Sequence, residues 1–181
     1  YISLINEGFA SVNKNIFIES ACNKKYSGMG TTLIVTLIID KTMIVGHVGD
    51  SRVYFIRDGN IKKITTDHSY VAELVKNGTI KPEEANSHPQ KNLITRAVGT
   101  EQEIKVDINT LDLKNGDYIL MCTDGLSNMI KEEEIINTVL LDKGLEDKCN
   151  ILIKTANEKG GHDNATVIII EVEKGGLSHD R

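Results

Sequence analysis

The most constraining feature of this chain is a succession of short β-type runs joined by turns too tight for a crossover. GTTLIVTLIID at 30–40 meets TMIVGHV at 42–48 across Asp40-Lys41, and RVYFIR at 52–57 meets IKKIT at 61–65 across Asp58-Gly59. An Asp-Gly link between Val- and Ile-rich runs specifies an antiparallel hairpin, whereas a parallel pair needs a long return connection. Four strands in succession predict a meander. IKVDINTLDL at 104–113 predicts another strand, a Lys114-Asn115-Gly116 turn leads into a further one, DYILMCT at 117–123, and 164–172 predicts a last strand.

The helical signals stand apart from these runs. Ile2, Ile5, Phe9, Val12 and Ile16 follow helical spacing and predict a helix to about Cys22. KEEEIINTVLL at 131–141 and LEDKCNILIKTANEK at 145–159 predict two more, the second with an apolar stripe at Leu145, Cys149, Leu152, Ile153 and Ala156. Strands grouped in sequence and separated from helices imply an α+β fold with antiparallel sheets rather than alternating βαβ units. Residues 69–92 hold both prolines and two short helical patterns around an Asn77-Gly78 break, and are expected to form a mobile excursion. Helical spacing is already in force at the second residue and the chain opens on Tyr1, so the sequence reads as part of a longer protein.

Composition narrows the function classes. A chain of 181 residues with 40% hydrophobic content can bury the core of one globular domain. Its net charge of -5, with Lys and Arg scattered, leaves no basic stripe for nucleic acid. LIVTLII at 33–39 is the longest strongly apolar run, far short of the roughly 20 residues a membrane helix needs. Cys22, Cys122 and Cys149 are odd in number and without zinc-type pairing, which suits reduced thiols and a cytoplasmic location.

Three aspartates share one context. Asp50 in HVGDSR and Asp124 in CTDGLSN each follow a strand, and Asp163 in GGHDNAT precedes one. A carboxylate against a buried run needs a partner, because an unpaired charge beside a dry core is costly. If the last strand lies antiparallel to the one ending at Cys122 or the one ending at Val48, its start lies beside that strand's end, and the three carboxylates converge. Taken singly each acid has a plainer reading: an Asp-Gly turn at Asp124, an Asx-turn or an ion pair with Arg52 at Asp50, a turn cap at Asp163. His47 and His162 stand near two of the acids, and read more readily as hydrogen-bonded scaffold than as metal ligands.

The order and wording of the segments are more specific than any one acid. GMGTT at 28–32, GHVGDSRVY at 46–54, ITTDHS at 64–69, ITRAVG at 94–99, MCTDGLSN at 121–128 and GGHDNATVI at 160–168 resemble, in that sequence, the metal-dependent protein phosphatases of the type 2C class. The likeness runs from the first helix to about Glu173 and is nearest the short bacterial members.

The resemblance implies a two-layer antiparallel β-sandwich flanked by helix pairs, here without its N-terminal strands, filling 1–174 and followed by a tail at 175–181. It implies that Asp124 and Asp163 hold a binuclear Mn²⁺ or Mg²⁺ centre, that Asp50 with Asp124 holds a third, weaker ion, and that about 70–93 is the flap beside the site. Thr31, Thr32, Asp67, His68 and Arg96 also match family signatures, which strand packing and loop fixation explain as well as chemistry does. An oxygen-only donor set suits these hard cations. The implied reaction is hydrolysis of phosphoserine and phosphothreonine in proteins by a metal-activated water. The implied partners are phosphorylated proteins and a cognate Ser/Thr protein kinase, and the chain is expected to be a monomer. Neither Cys122 nor Cys149 lies in a CxxxxxR loop, which sets cysteine-based hydrolysis aside. In the family an upstream Arg contacts the phosphate, and a DGMGGH-like segment supplies a bridging Asp, a carbonyl ligand and a general-acid His. These positions have no counterpart in the sequence, and are expected in the parent protein. The competing reading is a non-catalytic relative that binds phosphoproteins or regulates a partner.

Overall fold

The computed structural model describes residues 1–85 and 87–173, and the tail expected at 175–181 lies outside them. The described residues gather into two compact units: 1–39, 43–52 and 64–111 form the first, and 40–42, 53–63 and 112–173 form the second.

In the first unit, helix α1 (Ile2–Cys22) faces the sheet β1 (Leu33–Ile39), β2 (Thr42–Val48) and β5 (Asp107–Asp112), ordered β1-β2-β5. The buried stripe of α1 is Ile5, Phe9 and Asn13, with Ile16 packed alongside, whereas Ile2 and Val12 are exposed. Periodicity alone misses Asn13 because it is polar. Its carboxamide accepts from the Gly99 N–H at 2.7 Å and donates to the carbonyls of Glu101 and Gln102 at 3.0 and 3.3 Å, so its burial leaves little unsatisfied. The helix approaches β2 at Gly46, where a Cβ would lie 2.6 Å from Ile5 and 2.9 Å from Phe9. Burying Phe9 there contributes roughly 2 to 3 kcal/mol.

The excursion after residue 69 carries α2 (Tyr70–Lys76) and α3 (Pro82–Ala85). Ser69 caps α2 by accepting from the Ala72 N–H, and the two ends of the excursion are tied together. The Tyr70 N–H donates to Leu93 at 2.8 Å, and the Thr95 N–H donates to His68 at 2.9 Å.

The second unit is built on β3 (Arg52–Arg57), β4 (Asn60–Lys63), β6 (Tyr118–Cys122) and β7 (Val167–Glu171), ordered β4-β3-β6-β7. The β1–β2 and β3–β4 hairpins form, with Asp40 and Asp58 at φ 52° and 51°, whereas β5 and β6 flank a tight turn but lie in different sheets. The meander does not form, because β2 and β3 belong to different sheets. Helices α4 (Asp124–Ser127), α5 (Glu132–Val139) and α6 (Leu145–Glu158) complete the unit. Ile135 and Val139 of α5 and Leu152 and Ala156 of α6 join Tyr54, Ile56, Leu120, Leu126 and Ile169 in one core, as the stripe on α6 predicts.

Candidate metal centre

The last strand takes the first of its two predicted positions. β7 pairs antiparallel with β6, Val167 opposite Cys122, so the approach to β7 lies beside the exit from β6. Asp124 does not sit in a simple turn: it opens α4 directly after Thr123. The two segments interlock through backbone. The Thr123 N–H donates to Thr166 at 3.1 Å, the Thr123 hydroxyl donates to the Asn164 carbonyl at 3.3 Å, and the Thr166 N–H returns to that hydroxyl at 3.0 Å.

Gly125 is what allows this closeness. A Cβ there would stand 2.4 Å from the Asn164 carbonyl oxygen and 3.2 Å from that of Asp163, both backbone atoms. The glycine of the Asp-Gly pair is therefore required for packing, not for a left-handed turn. Asp124 is half-buried and accepts from the Asn128 amide at 3.2 Å, while Asp163 is exposed and its carboxylate accepts from the Asn164 N–H at 2.7 Å. His162 is exposed, its ring lying over Gly160 with Nε2 2.9 Å from where a Cβ would stand.

Asp50 belongs to the first unit, in the turn that leaves β2. Gly49 takes φ 111°, and the place of its missing Cβ is filled by Thr32, whose hydroxyl meets that of Ser51 at 2.9 Å. His68 holds Gly49 from both sides: its N–H donates to the Gly49 carbonyl at 2.9 Å, and its Nδ1 accepts from the Gly49 N–H at 3.0 Å. Arg52 forks onto Asp67 at 2.7 to 3.2 Å.

The Gly49 bond fixes the His68 tautomer. With Nδ1 accepting, Nε2 is assigned the proton, facing Asp107 at 3.1 Å with the Arg96 Nη1 2.9 Å away. Arg96 then sends its hydrogens to the other Asp107 oxygen at 2.8 Å and to the Lys105 carbonyl at 3.2 Å. Burial pushes the Asp107 carboxyl up, but His68 and Arg96 more than offset this and hold it below the usual range. Burial also lowers His68, against the pull of Asp107. His47 is fully buried with its ring 4.7 Å from that of His68, and burial followed by His68 lowers it to about 4. Among the described residues neither of its nitrogens makes a well-formed hydrogen bond; the nearby Ser51 backbone raises its pKa only slightly. It is a buried neutral ring that lacks, among those residues, the well-formed hydrogen bond expected of a scaffold histidine. The His68, Asp107 and Arg96 cluster escaped sequence reasoning as a unit, although DHS and TRAVG mark two of its three members.

Asp124 and Asp163 are carboxylates, a donor type that suits hard divalent cations, on segments that meet at Gly125, against which the backbone carbonyls of 163 and 164 lie. Among the described residues no three His, Cys, Asp or Glu side chains gather as a group that could hold a metal ion. The cysteines are free thiols, and burial pushes that of Cys149 up, away from nucleophilic thiolate.

The sequence model of the family described as Protein phosphatase 2C matches residues 5–163. The chain belongs to the protein phosphatase 2C family. Among curated relatives, Protein phosphatase PhpP of Streptococcus pneumoniae serotype 2 is 47% identical over 152 residues, covering 84% of this chain and 62% of its own. The chain thus spans less than two thirds of that relative's length. Among solved structures, the serine/threonine phosphatase Stp1 of Staphylococcus aureus superposes with a TM-score of 0.92 at 35% identity, covering 95% of this chain and 68% of that one. The catalytic domain of PstP, solved with two manganese ions, superposes at 0.85 with 32% identity, covering 94% and 70%. These likenesses make the architecture the protein phosphatase 2C fold, α+β with two antiparallel sheets and helices.

Proposed function

We propose that the chain forms the greater part of the catalytic domain of a metal-dependent Ser/Thr protein phosphatase, with Asp124 and Asp163 as ligands of a Mn²⁺ or Mg²⁺ pair and Asp50 as a ligand of a further ion. The observation that carries this reading is the interlock at Gly125, which holds two carboxylate turns together at the joined ends of β6 and β7. Such ions, when bound, lower the pKa of a coordinated water and stabilise charge on a phosphoryl group. The residues of this chain hold carboxylate oxygens in place for them, and leave no thiol poised for covalent attack. The excursion at about 70–93 is read as the flap, its ends closed by the Tyr70 and Thr95 bonds. Phosphoproteins are the proposed substrates, which places the parent opposite a Ser/Thr kinase. The described residues contain no helix long and apolar enough to cross a membrane.

The test is a phosphopeptide assay of the parent protein with Mn²⁺ and with EDTA, alongside Asp124→Asn and Asp163→Asn. Either substitution is expected to lower kcat by about 100-fold or more, since each removes a ligand of the ions on which the reaction depends. Full turnover in EDTA, or in either variant, would refute the reading. The partial donor set of the described residues supports a second reading, a non-catalytic relative that binds phosphoproteins or regulates a partner without hydrolysing them. Retention of a phosphopeptide by the parent without any Mn²⁺-dependent turnover is the outcome that reading requires.

A further inference from the structure

We infer that Asp67 and His68 are positioning residues, which hold the turn Gly49-Asp50-Ser51 so that the Asp50 carboxylate is set for a divalent cation before one arrives. The inference rests on the reading of Asp50 as an ion ligand and adds how that ligand is held. Residues on both sides of Asp50 are secured by different means. Gly49 is clamped by the backbone and ring of His68, Ser51 meets the Thr32 hydroxyl, and Arg52 is forked by Asp67. The dipeptide doing most of this is itself anchored. The His68 carbonyl accepts from Thr95, Ser69 bridges to Ile94, and Asp107 on β5 orients the His68 ring.

This is more polar apparatus than a strand-end turn needs. The side chains of His68 and Asp67 are only 5% and 9% exposed, so both are largely desolvated, where an apolar staple would hold a turn without that penalty. What a directional network adds is angular definition. A carboxylate fixed in advance loses little conformational freedom when the ion binds, and so binds it more tightly.

The test separates geometry from packing by imitating one ring nitrogen at a time. In His68→Asn the amide oxygen stands near the Nδ1 position and can still accept from Gly49; in His68→Gln the amide reaches the Nε2 position and that acceptor is lost. With the ¹⁵N-labelled chain and Mn²⁺ as probe, His68→Gln is expected to speed hydrogen exchange at the Gly49 amide by about tenfold. It should also raise by about tenfold the Mn²⁺ concentration that half-broadens the Asp50 amide signal. His68→Asn should leave both within about twofold of wild type. Asp67→Asn, which keeps the side-chain shape, should show the same rise in Mn²⁺ concentration and serves should His68→Gln fail to fold. Equal behaviour of the two His68 variants, or unchanged Mn²⁺ response in Asp67→Asn, overturns the positioning role. Absence of Mn²⁺ broadening at Asp50 in the wild-type chain overturns Asp50 as a ligand and the inference with it, and is told apart because the Gly49 exchange effect survives.

Discussion

At the scale of single residues, the decisive positions are ones where an atom is missing or a partner is absent. Gly125→Ala would drive a methyl group into the Asn164 carbonyl, and neither backbone can yield without parting the two acid turns. Calorimetry should show a loss of about 2 to 3 kcal/mol, the range for overpacking. Gly8→Ala is the matched control: nothing lies within 4 Å of its Cβ position in the middle of α1, so the same exchange should stabilise the chain by about 0.5 to 1 kcal/mol. His47 gives a pH signature. Its folded pKa of about 4 lies below the unfolded value of 6.5, so between them the unfolded chain binds the proton and the folded chain does not. Stability is therefore present above the unfolded value and is lost as pH falls towards the folded one. From about pH 7 to about pH 5 this amounts to about 2 kcal/mol, to which His68 adds in the same direction. In His47→Leu, urea melts across that range should show a visibly flatter dependence, with little change near neutrality because no well-formed hydrogen bond is removed.

At the scale of elements, hairpins were legible and their assembly was not. Asp40-Lys41 and Asp58-Gly59 declare their turns through local backbone chemistry. The passage of the chain from one sheet to another between β2 and β3 leaves no such mark, because GDS reads like any tight turn. The pairing of β5 with β2 is also silent, being fixed by packing between segments far apart in sequence. The Lys114-Asn115-Gly116 turn shows how much a local signal can leave out. Its geometry depends on Asp117, which is buried and accepts from the Lys114 N–H at 2.5 Å and from both arms of Arg57 at 2.6 and 2.7 Å. Burial pushes the Asp117 carboxyl up, yet these donors hold it below the ordinary range. Its stabilisation is therefore present above the unfolded carboxylate pKa and is lost as pH falls through the lower folded value. Asp117→Ala should cost about 2 to 3 kcal/mol at neutral pH, with the deficit shrinking in acid-titration melts.

At the scale of the whole molecule, the candidate centre was half legible. Asp124 and Asp163 could be paired because a strand junction has two ends, and the order of six short motifs named the family that the comparisons then established. The Asp67, His68, Asp107 and Arg96 support was invisible as a unit, since its members meet only after the chain has folded. The same distance in sequence governs Asn13, the buried amide that seats α1. Its partners at Gly99 and beyond are 86 to 89 residues away, so the bond can form only after a long loop has closed. The hairpins need no such closure. In kinetic terms α1 should dock late: Asn13→Ala is expected to speed unfolding several-fold while leaving the refolding limb of the chevron nearly unchanged, a φ-value near zero. A helix that leads the sequence would then be among the last elements to settle, and among the first to let go.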